Sequence, residues 1–248
     1  MTDYQQEIDL FVSEISSDVP HLAHYDISGE VPTLLLGKLF IYLYLPHTSR
    51  QKPHTDLQTL HIDVDLLRSS KTKVRNRIKG MLGLGEKIYA RDTVVARIDK
   101  KVALTFQHEH HLQVALPGKY RYGLFHEGEL VSVAVFSGGR RMRQEQENYR
   151  SFELLRFCHK ADYTVIGGIS KLIRRFVNEF QPSDIMTYAD LDWCQHSTLE
   201  KIGFVPLATK PPQIFRIKED IRTHHDGNID KEGYLVKNSG SLKLKLIL

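Results

Sequence analysis

A chain of 248 residues with 41% hydrophobic and 26% charged side chains has the composition of a globular protein, which excludes the disordered, collagenous and membrane-embedded classes. Its 34 basic and 30 acidic residues give a formal charge of +4, an excess that permits contact with a nucleic acid without requiring it. Two cysteines are too few for a disulfide framework, and the sequence shows neither a secretory signal nor a membrane span, so we expect a cytoplasmic protein without a metal.

Residues 1–84 are predicted to form a small N-terminal region. Apolar residues at helical spacing indicate an amphipathic helix over Tyr4 to Ser16, and Leu39 to Leu45 has the composition of a buried strand. A short strand over Leu60 to Val64 leads into a basic helix that ends at Gly83. The basic residues of that helix form either a solvated face or a set of contacts for a nucleic acid: Arg68, Lys71, Lys73, Arg75, Arg77 and Lys79.

Residues 85–248 alternate short strands with helices. A strand is predicted over Tyr89 to Ile98, a helix over Lys101 to His110, and a hairpin over Tyr120 to Phe136. The later elements are a strand at Phe152 to Cys158, a helix at Ile169 to Phe180, a strand at Ile185 to Tyr188, a short helix at Ser197 to Ile202, and strands at Val205 to Ala208, Gln213 to Ile217 and Leu242 to Leu246. This order predicts an α/β fold of the α+β mixed type, in which a mixed sheet is flanked by helices.

The passage from strand to helix at Gly167 and Gly168 is the most specific local feature. Amides at the start of a helix have no intrahelical partners, and together with the helix dipole they favour a bound phosphate. Glycines let such a ligand approach the backbone, although two glycines also make an ordinary tight turn. The residues predicted to bind the phosphates of a cofactor are Val165, Ile166, Gly167, Gly168, Ser170 and Lys171.

The order of strand, glycine turn, helix and strand, followed by Leu199-Glu200-Lys201-Ile202-Gly203-Phe204, resembles the second half of a GNAT-type N-acyltransferase. In that family the turn holds the pyrophosphate of acyl-CoA, so the resemblance implies a GNAT-like mixed sheet and an acyl-CoA donor. The family's turn begins with Gln or Arg, whereas the corresponding residue here is Val165. Leu199 stands where the family often has a tyrosine that acts as a general acid.

A closer resemblance, to phage and mobile-element proteins, covers about the last three-fifths of the chain. Those proteins are distantly similar to the Mom-type DNA modification proteins, and their module often follows a Vsr-like nuclease domain. The resemblance implies a reduced, noncatalytic nuclease remnant in residues 1–84, since the segment between Tyr44 and Asp56 contains no acid. The segments that carry it are Lys87 to Arg91, His110 to Gln113, Gly128 to Ser132, Glu153 to Phe157, Gly167 to Leu172, Tyr188 to Asp190, and Gly203 with Phe204.

Arg156, Asp190, His110 and His111 are the candidate catalytic residues. The Mom resemblance matches Arg156, Ser170 and Asp190 to site positions, with Asp190 as general base, and it favours His111, with His110 beside it, near the acceptor pocket. Structural roles remain open, because Arg156 also suits a salt bridge and Asp190 also suits a turn cap. We expect Arg156 and Asp190 to lie near one another beside the Gly167 turn, because ligands of open α/β sheets bind at the carboxyl ends of the strands.

Two functions follow from these patterns. The favoured one is transfer of an acyl or related group from a phosphate-bearing donor such as acyl-CoA to an amine, including an amine on a nucleobase in DNA modification. The alternative is a noncatalytic DNA-binding module, in which the basic helix tracks phosphates and the acyltransferase pocket is idle. An enzyme needs its reacting groups to converge in one cleft, whereas a binding module needs only a continuous basic surface.

Overall fold

The computed structural model describes residues 3–19, 23–141, 149–194, 198–225, 227 and 232–248. The chain forms two compact units, and neither is a continuous stretch of sequence. The first unit comprises Met1–Val74, Ala189–Ser197 and Ala208–Leu242, and the second comprises Arg75–Tyr188, Thr198–Leu207 and Lys243–Leu248. These limits differ from the predicted regions 1–84 and 85–248, because the first unit takes up two later segments of the chain.

The described helices are α1 (Asp3–Asp18), α2 (Val64–Met81), α3 (Lys100–His110) and α4 (Gly168–Phe180). The described strands, in chain order, are β1 (Ala23–Asp26), β2 (Thr33–Leu36), β3 (Leu39–Tyr44), β4 (Gln58–Asp63), β5 (Glu86–Tyr89), β6 (Val94–Arg97), β7 (Tyr120–His126), β8 (Glu129–Phe136), β9 (Arg140–Arg141), β10 (Arg150–His159), β11 (Tyr163–Ile166), β12 (Asp184–Asp190), β13 (Val205–Lys210), β14 (Ile214–Lys218), β15 (Ile221–His224), β16 (Tyr234–Lys237) and β17 (Ser241–Ile247). Within this part of the chain, none of the helices combines the length and hydrophobicity that a membrane span needs.

The first unit contains two small sheets. Strands β1, β2 and β3 pair antiparallel in sequence order, and β4 pairs in parallel with β3. Helix α1 buries Ile8, Phe11 and Ile15, the apolar stripe that its helical spacing predicts. In the segment 208–242, β14 pairs antiparallel with both β15 and β16.

The larger sheet, which belongs mainly to the second unit, runs in the order β13-β17-β12-β10-β8-β7-β6. Strand β10 is parallel to β12 and antiparallel to β8, so the sheet is mixed. Helix α3 packs Phe106 against Val133 and Val135 of β8, while Phe176 of α4 stacks on Phe136 at 4.0 Å between ring centroids. Because alternate residues of a strand point to opposite faces, the two helices cover opposite faces of the sheet. The predicted mixed sheet flanked by helices is confirmed.

The single strand predicted over Tyr89 to Ile98 is wrong. The structure has two strands, β5 and β6, separated by a 3₁₀ turn at Ala90–Asp92. Strand β5 pairs with β11 and β6 pairs with β7, so the apolar run serves two different sheets and must bend between them. The short helix predicted at Ser197 to Ile202 is a 3₁₀ turn, Thr198–Ile202, and the predicted start at Ser197 lies outside the described residues.

Candidate functional site

The predicted phosphate turn joins β11 to α4, and its two glycines have different structural causes. Gly167 caps the helix in the left-handed region, with φ 77°, where a residue without a Cβ is favoured. At Gly168 a Cβ would lie only 3.1 Å from the Leu124 Cδ1 atom and from a Val165 methyl group, so a side chain there would disturb the core. Both glycines therefore have a role in folding. A phosphate would be bound by the backbone amides at the start of α4.

The amides at the start of α4 lie only partly at the surface, because Gly168 is buried and Ile169 and Ser170 are half-buried. The cap residue Gly167 provides no side chain to accept from them, and it is exposed, as is the preceding Ile166. In the described part of the chain, the Ser170 hydroxyl has no hydrogen-bond partner, whereas Val165 is buried in the core. The start of α4 thus offers backbone N–H groups, a partial positive charge and one hydroxyl to an anion, while the Val165 side chain offers nothing.

Lys171, predicted to contact a phosphate, has its ammonium group bound to the 3₁₀ turn. Its Nζ donates to the carbonyl oxygens of Ala90, at 2.7 Å, and of Thr93, and it lies 3.4 Å from the Thr93 hydroxyl. These bonds satisfy the carbonyl groups at the bend between β5 and β6. In this structure Lys171 stabilises that bend.

Replacing Lys171 by methionine should lower the free energy of unfolding by about 1–3 kcal/mol, because the bent segment loses hydrogen bonds to a charged donor. Urea denaturation measures the effect, and Arg174→Met, an exposed change on the same helix, is the matched control. Weaker binding of a phosphate-bearing donor at unchanged stability would assign the Lys171 ammonium group to the phosphates instead.

Strands β10 and β12 pair over only part of their length. Their register runs from Ser151 opposite Asp184 to Glu153 opposite Met186, although β10 continues to His159. Near the end of this pairing, the register of β10 against β8 shifts, so that Leu155 is an extra residue without a partner in β8. A bulge of this kind re-aims the backbone and leaves its peptide groups outside the ladder. Beyond Glu153 the backbone pairing of β10 with β12 ends, although the Thr187 hydroxyl still donates to the Leu154 carbonyl oxygen at 2.8 Å.

Arg156 lies directly after this bulge and is half-buried. Its Nε donates to the Val114 carbonyl oxygen at 3.0 Å, and its Nη1 donates to the Leu155 carbonyl oxygen at 2.7 Å. Burial lowers the pKa of its guanidinium group, while the nearby Glu153 carboxylate opposes that effect. Backbone carbonyl groups hold the side chain in place, and its charge interacts with Glu153.

Asp190, the candidate base, ends β12 and belongs to the first unit. Its Oδ1 atom accepts a hydrogen bond from the Asp192 amide at 3.0 Å, the turn-capping geometry that is the alternative role for this residue. Arg156 belongs to the second unit, so the expected proximity of these two residues stays a prediction.

The two candidate histidines lie at the C-terminal end of α3. His111 is the cap residue, and its Nδ1 accepts from the Gln113 amide at 3.0 Å. His110 packs its ring edge-on against Phe106, at 4.6 Å between centroids. Among the residues that the structure describes, no group of three or more His, Cys, Asp or Glu side chains has the arrangement of a metal site.

Acidic side chains already balance several cations of the predicted nucleic-acid helix. Arg68 pairs with Asp3 and Asp220, and Lys71 pairs with Glu7 and Glu14 at 3.2 Å each. A paired cation contributes less to phosphate binding, because its carboxylate partner must first be displaced.

The sequence reasoning missed a buried ion network in the first unit. Arg50 donates to both oxygens of Asp63, at 2.8 and 3.1 Å, and to Asp192 at 2.9 Å. Arg222 binds Asp63 at 3.0 Å and Asp65 at 2.8 Å. Burial raises the pKa of Asp192 to about 6, against the opposing effect of Arg50. Asp63 and Asp65, at the end of a predicted strand, were a visible signal, but Asp192 and Arg222 lie more than 100 residues away from their partners.

No family model matches the sequence, and no curated protein matches it either. Solved structures of acetyltransferases are similar to it. The IAA acetyltransferase from Bacillus cereus is 16% identical with a TM-score of 0.37, and the alignment covers 63% of this chain and 99% of that one. Ard1 from Thermoplasma volcanium is 13% identical with a TM-score of 0.42, covering 63% and 98%. The Bacillus subtilis acetyltransferase in complex with CoA is 15% identical with a TM-score of 0.39, covering 63% and 99%.

Proposed function

We propose that the protein is a GNAT-like N-acyltransferase that takes an acyl group from acyl-CoA and transfers it to an amine. The observation that carries this proposal is the start of α4, where the cap residue Gly167 is exposed and has no side chain, in the same unit as the short paired stretch of β10 and β12. The first feature suits a diphosphate, and we assign the extended part of the donor to the place where the pairing of β10 with β12 ends.

The donor would bind through its pyrophosphate. The amides of Gly168, Ile169 and Ser170 are the first of α4 and have no intrahelical acceptor, so they can donate to phosphate oxygens. The helix dipole adds to this attraction. In the Bacillus subtilis neighbour the bound molecule is CoA, which is the donor class proposed here.

The chemistry is attack by a neutral amine on the thioester carbonyl carbon. A carbon–nitrogen bond forms, the carbon–sulfur bond breaks, the CoA thiolate leaves, and the amine gives up one proton. We assign that proton to the Asp190 carboxylate and assign Arg156 to holding a carboxylate or orienting Asp190. The Leu155 amide, placed outside the ladder by the bulge, is a candidate donor to the developing oxyanion. The candidate role of His110 and His111 is to contact the acceptor.

Two finer parts of the proposal depend on the resemblance to Mom-type proteins. They are an acceptor amine on a nucleobase and a role in phage or mobile-element DNA modification in the cytoplasm. Release of CoA thiol in the presence of DNA, compared with small primary amines, separates a nucleobase acceptor from other amines. The alternative function, noncatalytic DNA binding through α2, is less well supported because Arg68 and Lys71 are each shared by two acids.

Gly167→Asp should weaken acetyl-CoA binding about tenfold or more, because it places a negative charge where the donor phosphates lie. Gly167→Asn is the matched control, since both side chains tolerate the left-handed backbone and differ mainly in charge. Space is available, as a Cβ at Gly167 would lie 3.6 Å from the Ala90 Cβ. Calorimetric titration with acetyl-CoA measures both variants, and equal affinities for Asp and Asn would remove the donor site.

A further inference from the structure

The first unit contains a cavity of about 720 Å³ that the proposed acyl transfer does not use. The loop between β3 and β4 forms one wall, with Arg50 and Lys52, and the strands β14 and β16 form another, with Ile214, Leu235 and Lys237. Sites for small molecules usually measure about 300–1,000 Å³, so the cavity is large enough for a compact organic ligand.

Cations outnumber acids among the described residues that line the cavity. Arg50, Lys52 and Lys237 face a single acid, Asp63. The Asp63 oxygens are already occupied, since Oδ1 accepts from Arg50 at 2.8 Å and Oδ2 accepts from Arg222 at 3.0 Å. Arg50 belongs to the same network, and both of its terminal nitrogen atoms already donate to carboxylates. It therefore contributes a positive charge to the cavity.

The two lysines differ from Arg50 in having no acidic partner within the described ranges. Lys52 and Lys237 are both exposed, and neither is joined to a carboxylate by an ion pair. Their ammonium groups therefore remain available to an anion, in contrast to Arg68 and Lys71 of α2. Two lysines from different elements of the lining suit a ligand group with several negative oxygens.

The remaining walls combine apolar surface with a polar donor. Ile214 and Leu235 line the cavity although they are 43% and 37% exposed, so apolar surface is left for a ligand to cover. Asn238, also in the lining, accepts from the Gln213 and Gly240 amides through Oδ1 at 2.7 and 3.0 Å. These two bonds occupy its oxygen and leave its NH₂ group as a donor.

We propose that this cavity binds a small phosphorylated ligand whose body has an apolar face, as a nucleoside diphosphate has on its base. Lys52 and Lys237 contact the phosphates, Ile214 and Leu235 cover one face of the body, and the Asn238 amide donates to a polar edge. This site lies in the first unit, whereas the start of α4 lies in the second, so neither proposal depends on the other.

Calorimetric titration with ADP tests the site in the full-length protein. The double variant Lys52→Gln/Lys237→Gln should bind ADP roughly a hundredfold more weakly, at about tenfold for each lost charged contact. Lys38→Gln, an exposed lysine outside the cavity, is the matched control and should bind as the unmodified protein does. Far-ultraviolet circular dichroism confirms that all variants fold. Absence of ADP binding to the unmodified protein, or equal affinity in the double variant, would overturn the site.

Two further titrations identify which part of the ligand binds where. CoA contains an ADP moiety, so Gly167→Asp should leave ADP affinity unchanged if ADP occupies the cavity. Loss of ADP binding in Gly167→Asp with full binding in the double lysine variant would assign the nucleotide to the start of α4 and refute the cavity site. Inorganic phosphate should bind at least tenfold more weakly than ADP, and equal affinities would refute the contribution of the apolar wall.

Discussion

Replacing Arg50 by methionine should lower the free energy of unfolding by about 3–5 kcal/mol, because it leaves the buried Asp192 carboxylate without its cation. The Arg50 side chain is only 13% exposed, and its partners Asp63 and Asp192 are 6% and 7% exposed. Asp63 retains Arg222, whereas Asp192 retains the Ser239 amide, at 2.9 Å, as a donor. An ionised carboxylate in that position must be neutralised or rehydrated, and either change opposes folding.

Denaturant unfolding of three variants separates this effect from ordinary loss of contacts. Lys52→Met removes an exposed cation two residues away and should change stability by less than about 0.5 kcal/mol. Adding Asp192→Asn to Arg50→Met should recover part of the loss, since it removes the unpaired charge. A stability for Arg50→Met within experimental error of Lys52→Met would show that the network does not hold the fold.

Acid should destabilise the second unit through His159. Burial lowers the pKa of this histidine from 6.5 to about 4, and its Nδ1 shares a 2.6 Å hydrogen bond with the buried Ser132 hydroxyl. Between these two pKa values the unfolded chain binds a proton that the folded chain does not, so stability is lost as the pH falls from about 6.5 to 4. The full shift corresponds to a loss of about 3 kcal/mol from this one group.

The variant His159→Asn isolates that contribution, because asparagine keeps a polar partner near the Ser132 hydroxyl and does not titrate in this range. Its free energy of unfolding, measured by denaturant at a series of pH values, should fall less steeply below pH 6.5 than that of the unmodified protein. His108→Asn, at an exposed position on α3, should leave the slope unchanged. Parallel curves for all three proteins would contradict the inferred burial of a neutral His159.

Elements with a distinctive local sequence pattern could be predicted from the sequence alone. Helix α4 follows directly from its glycine start and the spacing of Leu172, Ile173 and Phe176, all of which are buried. The β7–β8 hairpin follows from alternating apolar residues around a turn. Both elements depend on residues that are close together in the sequence, so the sequence alone is sufficient to predict them.

Features that depend on distant partners were not predicted. Strand β15 is mostly polar and exposed, and β16 is only four residues long and half-exposed, so both depend on their pairing with β14. The bend between β5 and β6 depends on Lys171, about eighty residues later. The same limit applies to the candidate sites: the Gly167 turn was visible in the sequence, whereas Arg50 is paired with Asp192, 142 positions away.

The interleaving of the two units determines how the chain can be dissected. A fragment ending at Val74 would keep Arg50, Asp63 and Asp65 but would lose Asp192 and Arg222, the later members of their network. A fragment beginning at Arg75 would carry those two residues without their partners. No single cut therefore yields an intact unit, and separate expression of either one requires a redesigned connectivity in which its segments are joined directly.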